Sequence, residues 1–351
     1  MKILLLGGTG AMGKPLAQIL AQNNENNIYI TSRSRRGDLD NIHYLQGNAK
    51  NNDFLKELLN EKFDVIVDFL VYNTEELKER ISLVLDNTDQ YFFFSSARCF
   101  AESNEPITEV SPRLVDVCSD LKYLKTDEYA LAKGREENIL LEFGQKNWTI
   151  IRPYITYNSQ RLQLGVFEKE HWLWRALNGG TVVFPKDIAQ RKTSLTYGVD
   201  VAKTVALLIG NPKAYGESLN IITSETHTWG EILDFYCKVI EDKTGKKVKV
   251  CYLENSEELQ EQWNPWQIKY DRLFDRAFDS SKVDKIVGKV EYRSTFEGIE
   301  QCLTDFIINP RWLKRNWNFE AWCDKQCGEW TPLFSDVDLK SKAVYLKYRL
   351  F

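Results

Sequence analysis

The chain has 351 residues, of which 43% are hydrophobic, and a formal net charge of −4. This length exceeds what one compact core commonly holds, so it predicts two unequal lobes. The lack of a basic excess argues against a protein held on nucleic acid by bulk charge. Seven Cys without a CxxC pair and only three His favour reduced thiols and predict no metal site.

No segment of the sequence predicts a leader or a membrane span. The apolar run of MKILLL is ended by Gly-Gly-Thr-Gly before it reaches the length of a secretory leader. No other apolar run approaches the roughly 20 residues that a membrane helix needs. We therefore expect a cytoplasmic protein without membrane association.

The first half of the chain alternates short β-type runs with helical patterns, from KILLL and KPLAQILAQ through DVIVDFLV to YFFFSS. This alternation predicts βαβ units and a parallel sheet buried on both faces. The expected fold is α/β, with a Rossmann-type doubly wound domain over residues 1–157. We expect residues 158–193 to form a cap segment, 194–215 to return to the first domain, and 216–308 to form a smaller α+β substrate-binding cap. A Trp-rich extension follows over 309–351.

A glycine loop, GGTGAMG, follows the first predicted strand and precedes the first predicted helix. Gly7, Gly10 and Gly13 have the spacing G-x-x-G-x-x-G. In this position a glycine loop lets the backbone N–H groups of a helix N-terminus approach a pyrophosphate. The sequence therefore predicts a dinucleotide site, which also includes Thr9, Ala11 and Met12.

The end of the second predicted strand indicates which dinucleotide is bound. An acidic residue there would bind the ribose 2′-hydroxyl of NAD, whereas an arginine suits the 2′-phosphate of NADP. The chain reads TSRSRRGD, in which Ser32, Arg33 and Arg36 offer hydroxyl and guanidinium donors and no acid stands at the strand end. We expect NADP in preference to NAD.

Several motifs in order resemble the extended short-chain dehydrogenase/reductase family, in its NAD-dependent epimerase/dehydratase branch. They are GGTGAMG, DVIVDFLV, FFFSSARCF, YALAK, RPYITYN and TSLTYGVDVAKTVALL. The resemblance covers roughly the first 210 residues and continues more weakly to about residue 308. It implies a nucleotide-diphosphate sugar as substrate and a homodimer as the assembly.

The resemblance assigns catalytic roles to three residues. Tyr129 of YALAK would exchange a proton with a sugar hydroxyl or ketone. A free phenol ionises near pH 10, so the ammonium of Lys133, one helical turn further on, would favour the phenolate and also hold the nicotinamide ribose. Ser96 would form a hydrogen bond with the substrate oxygen.

The resemblance also implies further contacts with the cofactor and the substrate. The cofactor would contact Asn48, Ala49, Phe69, Leu70, Pro153 and Ile155, and the substrate would contact Ser95, Arg98, Asn158 and Arg191. The positions after Ser96 are Ala97 and Arg98, where the 4,6-dehydratases of the family carry Asp-Glu, so dehydration is disfavoured. An epimerase and an NADPH-dependent ketosugar reductase both remain open, and a non-catalytic RNA-binding relative of the same fold is a further alternative.

Overall fold

The computed structural model describes residues 1–332 and 337–350. The strands in this part of the chain are β1 (Lys2–Leu6), β2 (Asn27–Ser32), β3 (Ile42–Gln46), β4 (Phe63–Asp68), β5 (Thr88–Phe94), β6 (Trp148–Arg152), β7 (Thr156–Tyr157), β8 (Val182–Pro185), β9 (Lys192–Thr193), β10 (Thr196–Tyr197), β11 (Glu217–Asn220), β12 (His227–Thr228) and β13 (Val250–Leu253). The α-helices are α1 (Gly13–Leu20), α2 (Asn52–Leu59), α3 (Thr74–Lys78), α4 (Ile81–Leu85), α5 (Leu114–Val117), α6 (Leu121–Leu124), α7 (Tyr129–Glu142), α8 (Leu173–Leu177), α9 (Lys186–Ala189), α10 (Gly198–Leu208), α11 (Trp229–Thr244), α12 (Glu257–Gln262), α13 (Pro265–Gln267), α14 (Ser281–Val287), α15 (Thr295–Ile308), α16 (Trp317–Cys327) and α17 (Leu339–Leu350).

A seven-stranded parallel sheet combines six strands from the first half of the chain with β11. Its strand order is β11-β6-β5-β4-β1-β2-β3, and each neighbouring pair runs parallel. The order reverses between β1 and β4, which places the glycine loop at the switch point of a doubly wound sheet. The predicted Rossmann-type α/β fold is confirmed.

Helices cover both faces of this sheet, so its strands are apolar on both sides. Ile3 and Leu5 of β1 lie in a core cluster with residues of α1 and α10. Leu4 and Leu6 lie in a second cluster on the opposite face, with residues of α2, α4 and α7. All four side chains are fully buried.

The chain divides into two compact units. The first comprises residues 1–156, 194–225 and 277–293, and the second comprises 157–193, 226–276 and 294–351. Two stretches that the sequence analysis assigned to the cap, 216–225 and 277–293, therefore lie in the first unit. The reason is packing: β11 extends the main sheet by pairing with β6, and α14 contributes Val283 to the core cluster that contains α10.

In the second unit, β8 and β13 form a parallel pair, and α11 packs on α15. The C-terminal extension packs within this unit, where its helix α16 contacts Arg175 of α8. This arginine is 1% exposed. Its guanidinium donates to Glu320 at 2.9 Å and to Asp324 at 2.7 Å, both on α16. Buried carboxylates and guanidinium groups are stable only when paired in this way.

Within residues 1–332 and 337–350, no helix combines the length and the apolar character needed to cross a membrane. In the same part of the chain, no three His, Cys, Asp or Glu residues form a group that could hold a metal ion.

Candidate active site

The three glycines of the loop after β1 meet different surroundings. Gly7 has a φ of +69°, and a Cβ there would come within 2.7 Å of the Leu70 side chain. A Cβ on Gly13 would lie 2.5 Å from the Gly8 backbone, so this glycine lets α1 approach the loop closely. Among the described residues, a Cβ on Gly10 would meet nothing within 4 Å. Neither strain nor packing in that part of the chain requires a glycine at position 10.

Open space beside Gly10 adjoins the N-terminus of α1, where no side chain caps the helix. Uncapped N–H groups and the helix dipole favour an anion at such a place. The intervening residues Thr9, Ala11 and Met12 are half-buried. This arrangement fits the pyrophosphate of a dinucleotide.

The end of β2 presents a hydroxyl and a guanidinium in contact. Arg36 Nε donates to Ser32 Oγ at 3.2 Å, and the Arg36 guanidinium lies 5.9 Å from the Tyr44 ring centroid. Arg33 is exposed. Asp38, the first acidic residue after β2, instead accepts from the Tyr44 N–H at 2.8 Å. The side chains directly after β2 are therefore a hydroxyl and guanidinium groups, and the first acid, Asp38, is exposed but paired with the Tyr44 N–H.

The residues expected beside the adenine and the nicotinamide lie at the carboxyl ends of the strands. Asn48 is exposed and accepts from the Lys50 N–H at 3.2 Å, and the buried Ala49 follows it. The Phe69 ring lies 4.4 Å from the Phe94 ring between centroids, and Leu70 lies against Gly7. After β6, the Pro153 carbonyl accepts from the Ala97 N–H at 3.0 Å, and Ile155 is 8% exposed.

Tyr129 and Lys133 lie on one face of α7. The helix begins at Tyr129 because Glu128 caps it, accepting from the Ala130 N–H at 2.9 Å. Tyr129 is half-buried, whereas Lys133 is 1% exposed. The Lys133 Nζ lies 5.9 Å from the centroid of the Tyr129 ring. The structure therefore brings the two residues together, with the phenol toward the surface and the ammonium inside.

Arg98 covers the Tyr129 ring, with its guanidinium 5.1 Å from the ring centroid. Glu128 holds Arg98 in this place, since the Arg98 guanidinium donates to Glu128 Oε1 at 2.9 Å. The Tyr123 hydroxyl donates to the other oxygen of Glu128 at 3.0 Å, and burial together with the Glu128 charge raises the pKa of Tyr123. Sequence reasoning missed Glu128, although it directly precedes Tyr129.

The two serines after β5 have different partners. Ser96 caps the short 3₁₀ turn Ala97–Cys99, where its Oγ accepts from the Arg98 N–H at 3.3 Å. The Ser95 hydroxyl donates to Glu137 Oε1 at 2.5 Å and is 3% exposed. The structure thus gives Ser95, which we expected to contact the substrate, a buried carboxylate as its partner.

Glu137 is the centre of a buried ionic network behind Ser95. Arg152 donates to both of its oxygens at 2.8 Å, and Arg113 donates to Oε2 at 3.1 Å. Burial acts to raise the pKa of Glu137, but the Arg152 guanidinium, the Ser95 hydroxyl and the Arg113 charge together hold it below its usual range. This carboxylate is therefore charged at neutral pH and fixes the end of β6 against α7.

A second group of buried acids lies close to Lys133. The Lys133 Nζ donates to Glu136 Oε2 at 2.9 Å, and burial raises the pKa of Glu136. Asp68, at the end of β4, accepts from the hydroxyls of Tyr72 at 2.8 Å and Tyr91 at 3.0 Å, and burial raises its pKa also. Sequence reasoning missed both acids, although the i, i+3 spacing from Lys133 to Glu136 is a helix pair.

Two of the predicted substrate contacts lie in the second unit. Asn158 Oδ1 accepts from the Gln160 N–H at 2.8 Å and the Arg161 N–H at 2.9 Å, so its side chain shapes its own turn. Arg191 is half-buried, and its carbonyl accepts from the Trp229 N–H at 3.0 Å. Among the described residues, the Arg191 Nε has no hydrogen-bond partner.

No family model matches the chain. The chloroplast stem-loop binding protein of 41 kDa b from Arabidopsis thaliana is 28% identical over 236 residues, which are 63% of this chain and 58% of that protein. The chain thus spans little more than half the length of this curated relative.

Solved structures match the chain over almost all of its length. A dTDP-glucose 4,6-dehydratase from Bacillus anthracis in complex with NAD has a TM-score of 0.68 at 18% identity, over 89% of this chain and 98% of the other. A UDP-glucuronic acid 4-epimerase from Bacillus cereus in complex with UDP-glucuronic acid and NAD has a TM-score of 0.67 at 17% identity, over 89% and 100%. The expected resemblance is confirmed at the level of the fold: this chain has the fold of the NAD-dependent epimerase/dehydratase branch of the extended short-chain dehydrogenases/reductases.

Proposed function

We propose that the protein is an NAD(P)-dependent enzyme that transfers hydride at a sugar carbon, with Tyr129 as the acid/base. One observation carries the proposal. A half-buried Tyr129 lies beside a buried Lys133, in the same unit as a glycine loop whose Gly10 faces open space. A proton-transfer pair and a place for a dinucleotide are the two components that this chemistry requires.

The glycine loop and the N-terminus of α1 would hold the pyrophosphate, and Lys133 would hold the nicotinamide ribose. The bound nicotinamide would supply or accept the hydride. NAD is present in the two solved structures compared above. The preference of this chain for NADP is our proposal from Arg33 and Arg36, since a guanidinium at the end of β2 suits a 2′-phosphate.

Tyr129 would give a proton to a sugar ketone as the phenol, or take one from a sugar hydroxyl as the phenolate. A general acid/base of this kind contributes typically 10² to 10⁴ in rate. The Lys133 ammonium would stabilise the phenolate through its charge. Ser96 would donate a hydrogen bond to the reacting oxygen, since its Oγ accepts from the Arg98 N–H and so has its own O–H to donate.

We propose a nucleotide-diphosphate sugar as the substrate. The epimerase compared above was solved with UDP-glucuronic acid, which supports this class. Arg98, on the Tyr129 ring, offers a cation to an anionic sugar or a pyrophosphate. Epimerisation is our first proposal, and reduction of a 4-ketosugar with NADPH is the alternative that the basic residues after β2 favour.

The test is turnover of UDP-glucose, UDP-galactose, UDP-glucuronic acid and dTDP-glucose, with and without added NADPH. An epimerase forms product without net consumption of cofactor, whereas a reductase oxidises NADPH stoichiometrically. Tyr129→Phe should abolish either activity and leave NADPH binding within about twofold of the wild type. Unchanged turnover by this variant would refute the role of Tyr129. Sedimentation of the same preparation would check the homodimer that we propose for this fold.

Binding of stem-loop RNA is a second candidate function. The observation that favours it is the similarity to the chloroplast stem-loop binding protein of Arabidopsis thaliana. The measurement is fluorescence anisotropy of a labelled RNA hairpin over a series of salt concentrations, because phosphate contacts weaken as salt rises. Binding at physiological salt without turnover of any nucleotide sugar would favour this function over the enzyme.

A further inference from the structure

The Lys133 ammonium is enclosed and has a single carboxylate partner. Its Nζ donates to Glu136 Oε2 at 2.9 Å and lies 4.6 Å from the centroid of the Phe93 ring. In residues 1–332 and 337–350, Glu136 is the one hydrogen-bond acceptor of this ammonium. An ammonium carries three N–H donors. Two of the donors of Lys133 therefore lie outside the pair with Glu136.

Glu136 differs from its neighbour Glu137 in what it contacts. Both carboxylates are fully buried. Glu137 has Arg152, Arg113 and Ser95 as partners and ties α7 to β5 and β6. Among the described residues, Glu136 Oε1 has no hydrogen-bond partner, and Oε2 accepts from Lys133. Burial of a carboxylate costs free energy unless the group is paired. For Glu136, the hydrogen bond to Lys133 offsets this cost.

Tyr129, Lys133 and Glu136 occupy positions i, i+4 and i+7 of α7, which share one face of a helix. Exposure falls along this face, from the half-buried Tyr129 to Lys133 at 1% and Glu136 at 0%. Lys133 therefore lies between the phenol and the carboxylate. A carboxylate on the inner side of a buried lysine pairs with its charge and limits its rotamers.

We propose that Glu136 is a positioning residue for Lys133. It holds the ammonium by one N–H and leaves the other two for the nicotinamide ribose and the Tyr129 phenolate. The carboxylate also offsets the cost of burying the lysine charge. The inference rests on the proposed function, because the role of Lys133 in holding a dinucleotide belongs to that proposal.

The test is fluorescence titration of NADPH into the full-length wild type and into variants at position 136. Glu136→Ala should raise the Kd for NADPH about tenfold or more, since a lost hydrogen bond to a charged group has this size. Glu136→Gln retains an acceptor oxygen and should recover part of the affinity. Glu142→Gln is the matched control, because Glu142 is exposed on the same helix and should bind NADPH as the wild type does.

A double-mutant cycle separates positioning from a general effect on the fold. In a Lys133→Met background, Glu136→Gln should change the Kd for NADPH by less than twofold, because the group that it positions is gone. With a nucleotide sugar that the wild type converts, Glu136→Gln should lower kcat severalfold and leave the sugar KM within twofold. Circular dichroism and thermal melting check folding, and the isosteric Glu136→Gln carries the test if Glu136→Ala does not fold.

Two outcomes would overturn the inference alone: NADPH binding by both Glu136 variants equal to that of the wild type, or the same loss of affinity with and without Lys133. A wild-type protein that binds none of NADPH, NADP⁺, NADH and NAD⁺ would instead refute the proposed function, and the inference with it. Measurement of the wild type first therefore distinguishes the two failures.

Discussion

Alanine at Gly10 and at Gly13 should have opposite effects, because the two glycines meet different surroundings. A Cβ on Gly13 would lie 2.5 Å from the Gly8 backbone, which cannot move aside as a flexible side chain can. Overpacking of this kind costs about 1–3 kcal/mol. The better helix propensity of alanine returns up to about 1 kcal/mol. Because the clash is with backbone, the upper part of this overpacking range, about 2–3 kcal/mol, applies, and we expect Gly13→Ala to lower the free energy of unfolding by about 1–2 kcal/mol.

A Cβ on Gly10 would meet no atom of residues 1–332 and 337–350 within 4 Å, and Gly10 is not among the glycines with positive φ. Gly10→Ala should therefore leave the stability unchanged or raise it by about 0.4–1 kcal/mol, since alanine restricts the unfolded chain. The same methyl group would fill the space beside α1 that we assign to the pyrophosphate. Lost hydrogen bonds to a charged group should then weaken NADPH binding by about 1.5–3 kcal/mol, which is about ten- to a hundredfold in Kd.

Urea denaturation measures the free energy of unfolding of each variant, and fluorescence titration measures its Kd for NADPH. Wild-type affinity in a folded Gly10→Ala variant would refute the position that we assign to the pyrophosphate. A Gly13→Ala variant as stable as the wild type would refute the packing argument. The pair serves as its own control, because both substitutions add one methyl group to the same loop.

Three further substitutions test the site and the fold. Arg36→Ala should weaken NADPH binding about tenfold and leave NADH binding unchanged, since only NADP carries the 2′-phosphate; equal losses in the two titrations would contradict the NADP preference. Glu137→Gln should lower the free energy of unfolding by about 3–5 kcal/mol, because it leaves Arg152 without its buried partner. The lowered pKa of Glu137 stabilises the wild type fully above about pH 4.3, the pKa of a glutamate in the unfolded chain. This stabilisation is lost as pH falls through the folded pKa, so urea titrations should find the stabilities of the wild type and Glu137→Gln converging in acid. Arg175→Met should cost about 3–5 kcal/mol, since it removes a cation from the buried carboxylates of α16, and a loss below about 1 kcal/mol would refute the importance of this contact.

The sequence predicted the parallel sheet and the glycine loop because both depend on local patterns. The strands of a sheet covered on both faces are apolar throughout, as KILLL is, and its alternate residues do enter two different core clusters. The glycine spacing predicted a loop between β1 and α1, and the loop lies there. Neither feature depends on residues far away in the chain.

The boundaries of the second unit could not be predicted in the same way. The sequence analysis assigned residues 216–225 and 277–293 to the cap, together with the stretch between them. In the structure, however, β11 pairs with β6, and α14 packs with the core that contains α10. Pairing and packing of this kind join residues that are far apart in sequence. The residue pattern of a strand does not indicate which sheet the strand will join.

The sequence by itself determined the glycine loop, the Tyr129 and Lys133 pair on one helix face, and the serines after β5. Only the tertiary structure decided how deeply each of these side chains is buried and which groups it contacts. It buried Lys133 on Glu136, directed the Ser95 hydroxyl to Glu137, and placed Arg98 over Tyr129 through Glu128. Spacing along a helix fixes which side chains share a face, because that geometry is local. The Lys133–Glu136 pair has this local spacing too, but its burial, and the partners that Ser95 and Arg98 find on another element, depend on which elements meet, and long-range packing sets that.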